Sequence, residues 1–491
     1  MYEIDFKTPL HVHFIGIGGI SMSGLAEILL DQGFHITGSD AKESPLTDHL
    51  ERMGASVFYG QRASNIQDDT DLVVYTAAIH PDNPEYAAAV EKGIPMLTRA
   101  ELLGQIMRNY QMPIAISGTH GKTTTTSMAS HILLEAKKDP TISVGGILQA
   151  IHGNIRVGGH ETFITEACEY TNSFLSFFPK ISVILNIDAD HLDFFKDLDD
   201  IRHSFRLFAE KLPADGTLII NSDIPDYTQI TKGLPCRIVT YGSSSASDYS
   251  PANITFDENA HPSFDFCKNG ISLGRVTLRV PGIHNVYNAV AAMALADLLD
   301  IPVETMEKGL EAFGGTDRRF QKKGEIGGVT IVDDYAHHPT EIRATLTAAQ
   351  NMPHKTLWCV FQPHTYTRTK ALMDDFAAAL SLADKVVLAD IYAARETDRL
   401  GISSDTLREK VEALGTDAHY FPSFDAIENY LLENCEAGDV LITMGAGDVV
   451  KIGSIFWANN PFSFHIFFRN FQKAFLWHNS SVPEECFFCE A

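Results

Sequence analysis

The run Gly118-Thr119-His120-Gly121-Lys122-Thr123-Thr124 is the stretch of this sequence best equipped for chemistry. A glycine loop feeding a helix aims backbone N–H groups at phosphate, and the helix N-terminus adds the positive end of its dipole. In such a loop Lys122 would reach the outer phosphates of ATP and Thr123 could ligate magnesium. The standard pattern begins with glycine at position 116, where this chain has Ile116, so the loop is a variant. A second loop, Gly16-Ile17-Gly18-Gly19, has Ser21 in place of a third glycine and Ser39-Asp40 after the next strand. That is a dinucleotide-type pattern, and its backbone suits any pyrophosphate.

Two further groups surround these loops. Glu166-Ala-Cys-Glu169 and Asp188-Ala-Asp190-His191-Leu-Asp193 close two expected strands, where ligands of α/β sheets collect. Oxygen donors beside a phosphate loop are what magnesium requires. The other group is Gly282-Ile-His284-Asn285-Val-Tyr-Asn288, Arg318-Arg319, Asp333-Asp334-Tyr335-Ala-His337-His338-Pro339 and His364-Thr-Tyr-Thr-Arg368. Polar residues bunched at strand edges in this way predict a cleft lined by Arg and His for anions.

The elements that must position these residues follow from apolar spacing. A strand at 12–15 leads into a helix with Met22, Leu25, Ala26 and Leu29 on one face, which Gly33 stops. Short strands are expected up to Asp40 and at 72–75, with helices filling the gaps to about Tyr110. A strand at 114–117 then feeds the Gly118 loop and a helix carrying Met128, Ile132, Leu133 and Ala136. Strands at 163–164 and 181–187 follow, and a Gly- and Ser-rich stretch near 241–250 reads as an excursion from the main sheet. Beyond Gly328, strands at 329–332, 356–361, 386–389 and 440–443 alternate with amphipathic helices, which predicts a parallel sheet.

At 491 residues the chain exceeds what one core usually supports, and three domains are expected. A net charge of −25 disfavours nucleic acid or anionic lipid as partner. The first ten residues lack an apolar targeting core, no stretch is long and apolar enough to span a bilayer, and seven scattered cysteines fit a reducing compartment. A cytoplasmic enzyme is therefore expected. Whether a second copy of the chain is also a partner stays open.

These motifs, in this order from His13 to Val450, resemble the Mur ligases, and within them the branch that joins L-alanine to UDP-N-acetylmuramate. The resemblance rests on Gly16-Ile-Gly-Gly19, Gly118-Thr-His-Gly-Lys122-Thr123, Glu166-Ala-Cys-Glu-Tyr170, Asp190-His191-Leu-Asp193, His284-Asn285-x-x-Asn288, Asp334-Tyr-Ala-His-His-Pro339 and Phe361-Gln-Pro-His364. It implies an α/β enzyme of three domains. Residues 1–110 would form a Rossmann-like N-terminal domain for the UDP substrate, 111–316 a central P-loop ATPase-type domain for ATP and Mg2+, and 317–453 a Rossmann-like C-terminal domain that completes the site.

By the same likeness Gly118 to Thr124, Asn288, Arg319 and Asp334 would bind ATP, while Thr123, Glu166 and His191 would hold magnesium. Gly16, Gly18, Gly19, Ser39 and Asp40 would bind the UDP substrate. Tyr335, His337, His364 and Arg368 would join Lys122 at the amino acid and muramoyl carboxylate. Two departures stand out. Thr365 occupies a position where many members carry an arginine, and the Phe-rich segment 454–491 resembles nothing in the family. A peptide-recycling ligase of the same family is the nearest alternative.

Overall fold

The computed structural model describes residues 2–452 apart from 77, 395 and 398. The expectation about the segment 454–491 therefore lies outside the described residues. The chain divides into two compact units, Met1–Arg319 and Phe320–Ala491.

The first unit holds two sheets. One has five parallel strands in the spatial order Ser56–Tyr59, His35–Asp40, His11–Ile15, Leu72–Tyr75 and Met96–Thr98. Ile15 sits opposite Ser39 in this register, so both chains leave the sheet together and the turn at Gly16 begins beside Ser39. The helix Ile20–Asp31 buries Met22, Leu25, Ala26 and Leu29, and Gly33 follows it at φ +82°.

The second sheet has ten strands. Its centre is parallel: Met112–Ser117 lies between Ile181–Ile184 and Thr162–Ala167. Ile184 pairs with Ser117, so these two strands end together, and residues 185–187, expected as strand, already belong to the connection beyond it. The stretch near 241–250 is no departure from the sheet. It turns the chain from Arg237–Tyr241 onto Tyr249–Phe256, the first of three successive strands that extend the same sheet at its edge.

The two sheets of this unit are not separated by a gap in packing. A single apolar cluster runs from Val12, Phe14 and Leu102 to Ala115, Phe163, Phe174, Phe205 and Ile220. The helix Arg99–Met107 presses so closely on the segment Tyr170–Ser176 that a Cβ on Gly104 would run into the Ser176 carbonyl.

The second unit is built on six strands, ordered Gln321–Ile326, Val329–Asp334, Val440–Met444, Leu357–Phe361, Lys385–Leu388 and Asp417–Tyr420. All pairings are parallel except the first. The four expected strands form its middle. The two edge strands, Gln-Lys-Lys-Gly-Glu-Ile and Asp-Ala-His-Tyr, are too polar or too short to announce themselves. Among the described residues no helix is long and apolar enough to cross a membrane.

Candidate active site

The strand Met112–Ser117 delivers the chain to Gly118, whose φ of +144° and 2.8 Å clearance to the Leu185 Cβ leave no room for a side chain. Gly121, at φ +84°, opens the helix Lys122–Glu135 and supplies no side-chain cap. The helix's first N–H groups are thus not satisfied by a capping side chain, the condition for receiving an anion. Ile116 is a buried strand residue paired with Val183 and Glu166, which is why the loop starts two positions later than the standard pattern. Asn186 holds the loop's shape: it accepts from the His120 N–H at 2.8 Å and donates to the His120 carbonyl at 2.9 Å. Thr119 and His120 both reach the Asp188 segment, through Thr119 Oγ1 at 2.9 Å from the Asp188 N–H and His120 Nε2 at 3.3 Å from its carboxylate.

Lys122 is folded onto its own loop. Its Nζ donates to the carbonyls of Gly118 at 2.6 Å and Thr119 at 3.1 Å, and to Glu169 Oε2 at 2.9 Å. Glu169 is almost wholly buried. Burial opposes a charge on the lysine, but Glu169, Cys168 and Glu166 together outweigh it, so Lys122 holds its proton more tightly than an ordinary lysine. Glu166 accepts from Thr123 Oγ1 at 3.0 Å and from the Gly145 N–H at 2.5 Å. Its carboxyl is pushed up by burial, against the pull of Gly145, Lys122, Thr123 and Arg319. His191, at φ +53°, stacks on Tyr170 with ring centroids 4.5 Å apart and lies 3.7 Å from Glu169 Oε1. The side chains of Lys122, Thr123, Glu166, Glu169 and His191 therefore form one linked group.

Asn288 joins the loop from the helix Ile283–Leu298, because a Cβ on Gly121 would sit 2.7 Å from its Oδ1. Asn285 fixes it, accepting from Asn288 Nδ2 at 3.1 Å while donating to the Pro281 carbonyl at 2.7 Å. Arg319 reaches this group through its charge on Glu166.

The first glycine loop is organised differently. The Ser39 carbonyl accepts from the N–H groups of Gly16 at 2.8 Å and Ile17 at 2.9 Å, and Asp40 Oδ2 accepts from the Gly18 N–H at 2.8 Å. Gly19 caps the following helix without a side-chain hydrogen bond. Beneath the loop the Ser39 hydroxyl donates to Glu85 at 2.6 Å, and Glu85 is fully buried.

In the second unit, Tyr335, His337, His364 and Arg368 come together at the ends of the strands Val329–Asp334 and Leu357–Phe361. The His337 and His364 rings are 5.8 Å apart, Tyr335 and His337 5.4 Å, and Arg368 Nη1 lies 3.2 Å from His364 Nδ1. His364 also stacks on Tyr392. Thr365, at φ +65°, contributes through its backbone, its N–H donating to the Tyr392 carbonyl at 2.9 Å. Asp334 is buried and clamps its own surroundings: it accepts from the N–H groups of Phe320 and Ala336 and from the Thr345 hydroxyl.

Three Mur ligase family models match in succession: the catalytic-domain model of the family over residues 11–111, the middle domain over 116–296 and the glutamate ligase domain over 318–447. A UDP-N-acetylmuramate–L-alanine ligase of Agathobacter rectalis is 63% identical over 453 residues, covering 92% of this chain and 99% of that protein. The chain belongs to the Mur ligase family. The enzyme of the same name from Lachnospira eligens is 61% identical, with 92% of this chain and 99% of that protein covered. Among solved structures, the UDP-N-acetylmuramate–alanine ligase of Thermotoga maritima aligns with a TM-score of 0.75 at 29% identity, over 91% of this chain and 98% of that one. A murein peptide ligase of Psychrobacter arcticus aligns at 0.65 and 25% identity, over 91% and 98%.

Within this Mur ligase, sequence reasoning overlooked three residues that build the site. Asn186 was hidden inside an expected strand, and its two-way bond to His120 spans 66 positions. Glu169 was noted as a carboxylate but not as the partner of Lys122. Glu85 gave no signal beyond the sequence Asn83-Pro84-Glu85, which reads simply as a helix start.

Proposed function

We propose that this Mur ligase joins L-alanine to the muramoyl carboxylate of UDP-N-acetylmuramate at the expense of ATP, a step in making peptidoglycan precursors. The observation that carries this reading is the 63% identity to a ligase of that name across 99% of its length. The intact loop from Gly118 to Thr124, with Lys122 at its centre, agrees with it.

The chemistry follows from a difficulty: a carboxylate is a poor electrophile. Transfer of the ATP γ-phosphoryl group to it gives an acyl phosphate with a good leaving group, which the alanine amine then displaces as inorganic phosphate. Both steps gather negative charge on oxygen, and a preorganised cation such as Lys122 lowers that cost. Glu169 keeps Lys122 protonated until phosphate oxygens arrive to take its place. Asn288 and Arg319 are assigned to the nucleotide, with Asp334 holding the loop after its strand in shape. Tyr335, His337, His364 and Arg368 are assigned to the alanine and the muramoyl carboxylate, and Gly16, Gly18, Gly19, Ser39 and Asp40 to the UDP group.

The donors fit magnesium. Thr123 and Glu166 offer two oxygens already 3.0 Å apart, and Glu166 is a half-buried carboxylate whose charged form its surroundings disfavour. His191 is the third residue assigned to the ion. When bound, Mg2+ would neutralise phosphate charge along the reaction. Use of ATP fits a cytoplasmic enzyme.

The decisive experiment follows phosphate release from ATP with UDP-N-acetylmuramate present, adding each amino acid or the muramyl tripeptide in turn. Release with L-alanine supports the reading. Release with the tripeptide and not with alanine would make this a recycling ligase instead.

A further inference from the structure

Glu85 is a carboxylate with no exposed surface, set at the start of the helix Pro84–Glu91. Its position is bound from several directions. Oε2 accepts from the Ser39 hydroxyl at 2.6 Å and lies 3.6 Å from His13 Nε2, while Oε1 accepts from Asn65 Nδ2 at 2.5 Å and the Arg62 N–H at 3.3 Å. Asn65 also donates to the Gly60 carbonyl at 3.0 Å, and His13 Nδ1 meets the Thr37 hydroxyl at 2.9 Å. Burying an anion is expensive unless it is paired and hydrogen-bonded throughout, so an arrangement of this kind calls for an explanation.

Its attachments supply one. Ser39 and Gly60 stand at or just past the carboxyl ends of two neighbouring strands, His35–Asp40 and Ser56–Tyr59. Those ends are where a parallel sheet receives its ligand. Ser39 is also the residue whose carbonyl holds the N–H groups of Gly16 and Ile17. Through Ser39, Glu85 thus sets the height of the glycine loop, and through Asn65 and Arg62 it sets the adjacent rim. It does so from beneath the loop, with no surface of its own exposed.

We propose that Glu85 is the positioning residue of the UDP-substrate loop: a buried anion that locks Ser39, and with it the Gly16–Gly18 turn, in the shape that receives the UDP group. This rests on assigning that loop to UDP-N-acetylmuramate. Replacing Glu85 by Gln leaves an oxygen for the donors Asn65 and Arg62 but turns the oxygen facing Ser39 into an NH2 group, so the Ser39 hydroxyl loses the anion it donates to and must reverse its bond. The loop then loses its fixed height, and binding suffers while the chemistry at Lys122 proceeds.

The test compares steady-state kinetics of Glu85→Gln, Glu85→Asp, Ser39→Ala and Gly18→Ala. Glu85→Gln is expected to raise KM for UDP-N-acetylmuramate on the order of tenfold, the equivalent of one hydrogen bond to a charged group. Its kcat and its KM for ATP should move less than about twofold, a split that a general loss of folded protein does not produce. Glu85→Asp should recover part of the loss. If Glu85→Gln does not fold, Ser39→Ala cuts the same link while leaving the anion in place, and it should raise the same KM. An unchanged KM in Glu85→Gln or in Ser39→Ala, alongside a raised KM in Gly18→Ala, overturns the role of Glu85 and leaves the loop assignment standing. Unchanged KM in all of them, Gly18→Ala included, overturns the loop assignment and this proposal with it.

Discussion

The two glycine loops of the first unit are the same backbone device in different electrostatic settings. Each follows a central parallel strand, each turns through glycines, and each opens a helix that has no side-chain cap. Around Gly118 to Thr124 stand a lysine, one buried and one half-buried carboxylate, and a histidine, linked by hydrogen bonds and ion pairs. Around Gly16 to Gly19 the loop's own contact is a single carboxylate, Asp40, and the buried anion Glu85 lies one residue removed behind Ser39. A glycine turn at a helix start offers binding; reaction needs charges that can follow the electrons. On the proposed function, the difference between the loops is that between holding a pyrophosphate and transferring a phosphoryl group.

The sharpest break in that comparison is Lys122→Ala. Turnover should fall at least on the order of a hundredfold, since a preorganised cation is lost from the developing phosphoryl charge. The structure adds a cost in stability, because Glu169 would be left buried with His191 in place of its lysine, up to roughly 3 kcal/mol for a pair of this kind. Lys122→Ala with Glu169→Gln should regain much of the melting temperature and none of the activity. Near wild-type phosphate release from Lys122→Ala would mean that the loop is not the reacting one.

Ligand binding probes both loops without mutation. UDP-N-acetylmuramate at a hundredfold excess over its Kd should stabilise the protein by about 2.7 kcal/mol, and NAD should not. A melting shift with NAD and none with the UDP sugar would turn the first loop into an ordinary dinucleotide site.

Alanine scanning of the glycines should separate the loops kinetically. Gly121→Ala meets both a φ of +84° and Asn288 Oδ1 at 2.7 Å, so KM for ATP should rise about tenfold, as one to two kcal/mol of strain requires. Gly18→Ala meets only the movable ends of Asp40 at 2.8 Å and Thr47 at 3.0 Å, so a few-fold rise in KM for the UDP substrate is expected from roughly half that strain. Equal effects on both substrates would erase the distinction drawn here.

Acid tests the buried anion. Burial alone would raise the Glu85 carboxyl, but the His13 imidazole beside it and hydrogen bonds from Ser39 and Asn65 bring it below its ordinary value of 4.5. Its contribution to stability is then fully present above about 4.5 and disappears as pH falls through the lower folded value. Denaturant midpoints between neutral and acid pH should consequently converge for wild type and Glu85→Gln. Parallel curves would show that the Glu85 carboxyl titrates alike in the folded and the unfolded chain. The smallest effect should come from ending the chain at Gly453: ligase activity should persist, since the matched 453 residues already cover 99% of a relative's length. Loss of phosphate release from the shortened chain would show that the segment belongs to the enzyme.

Much of the fold was legible because it is local. Strand, glycine and helix follow one another within a dozen residues at both loops, and left-handed φ at Gly16 and Gly121 is a demand that glycine meets by itself. The parallel middle of the second unit's sheet was legible for the same reason, as apolar runs separated by amphipathic helices. The edge strands escaped because they need neither apolar continuity nor strict alternation once a neighbour supplies their hydrogen bonds.

By itself, then, the sequence determined the two strand–glycine–helix junctions, the lysine and threonine placed on one of them, and the cluster of Tyr, His and Arg in the second unit. Tertiary structure alone decided which side chains complete them. Lys122 finds Glu169 across 47 positions, His120 finds Asn186 across 66, and Ser39 finds Glu85 across 46. Spacing cannot reveal such pairs, because their meeting depends on which strands lie side by side and how far each helix packs, and both are settled by burial of the whole core.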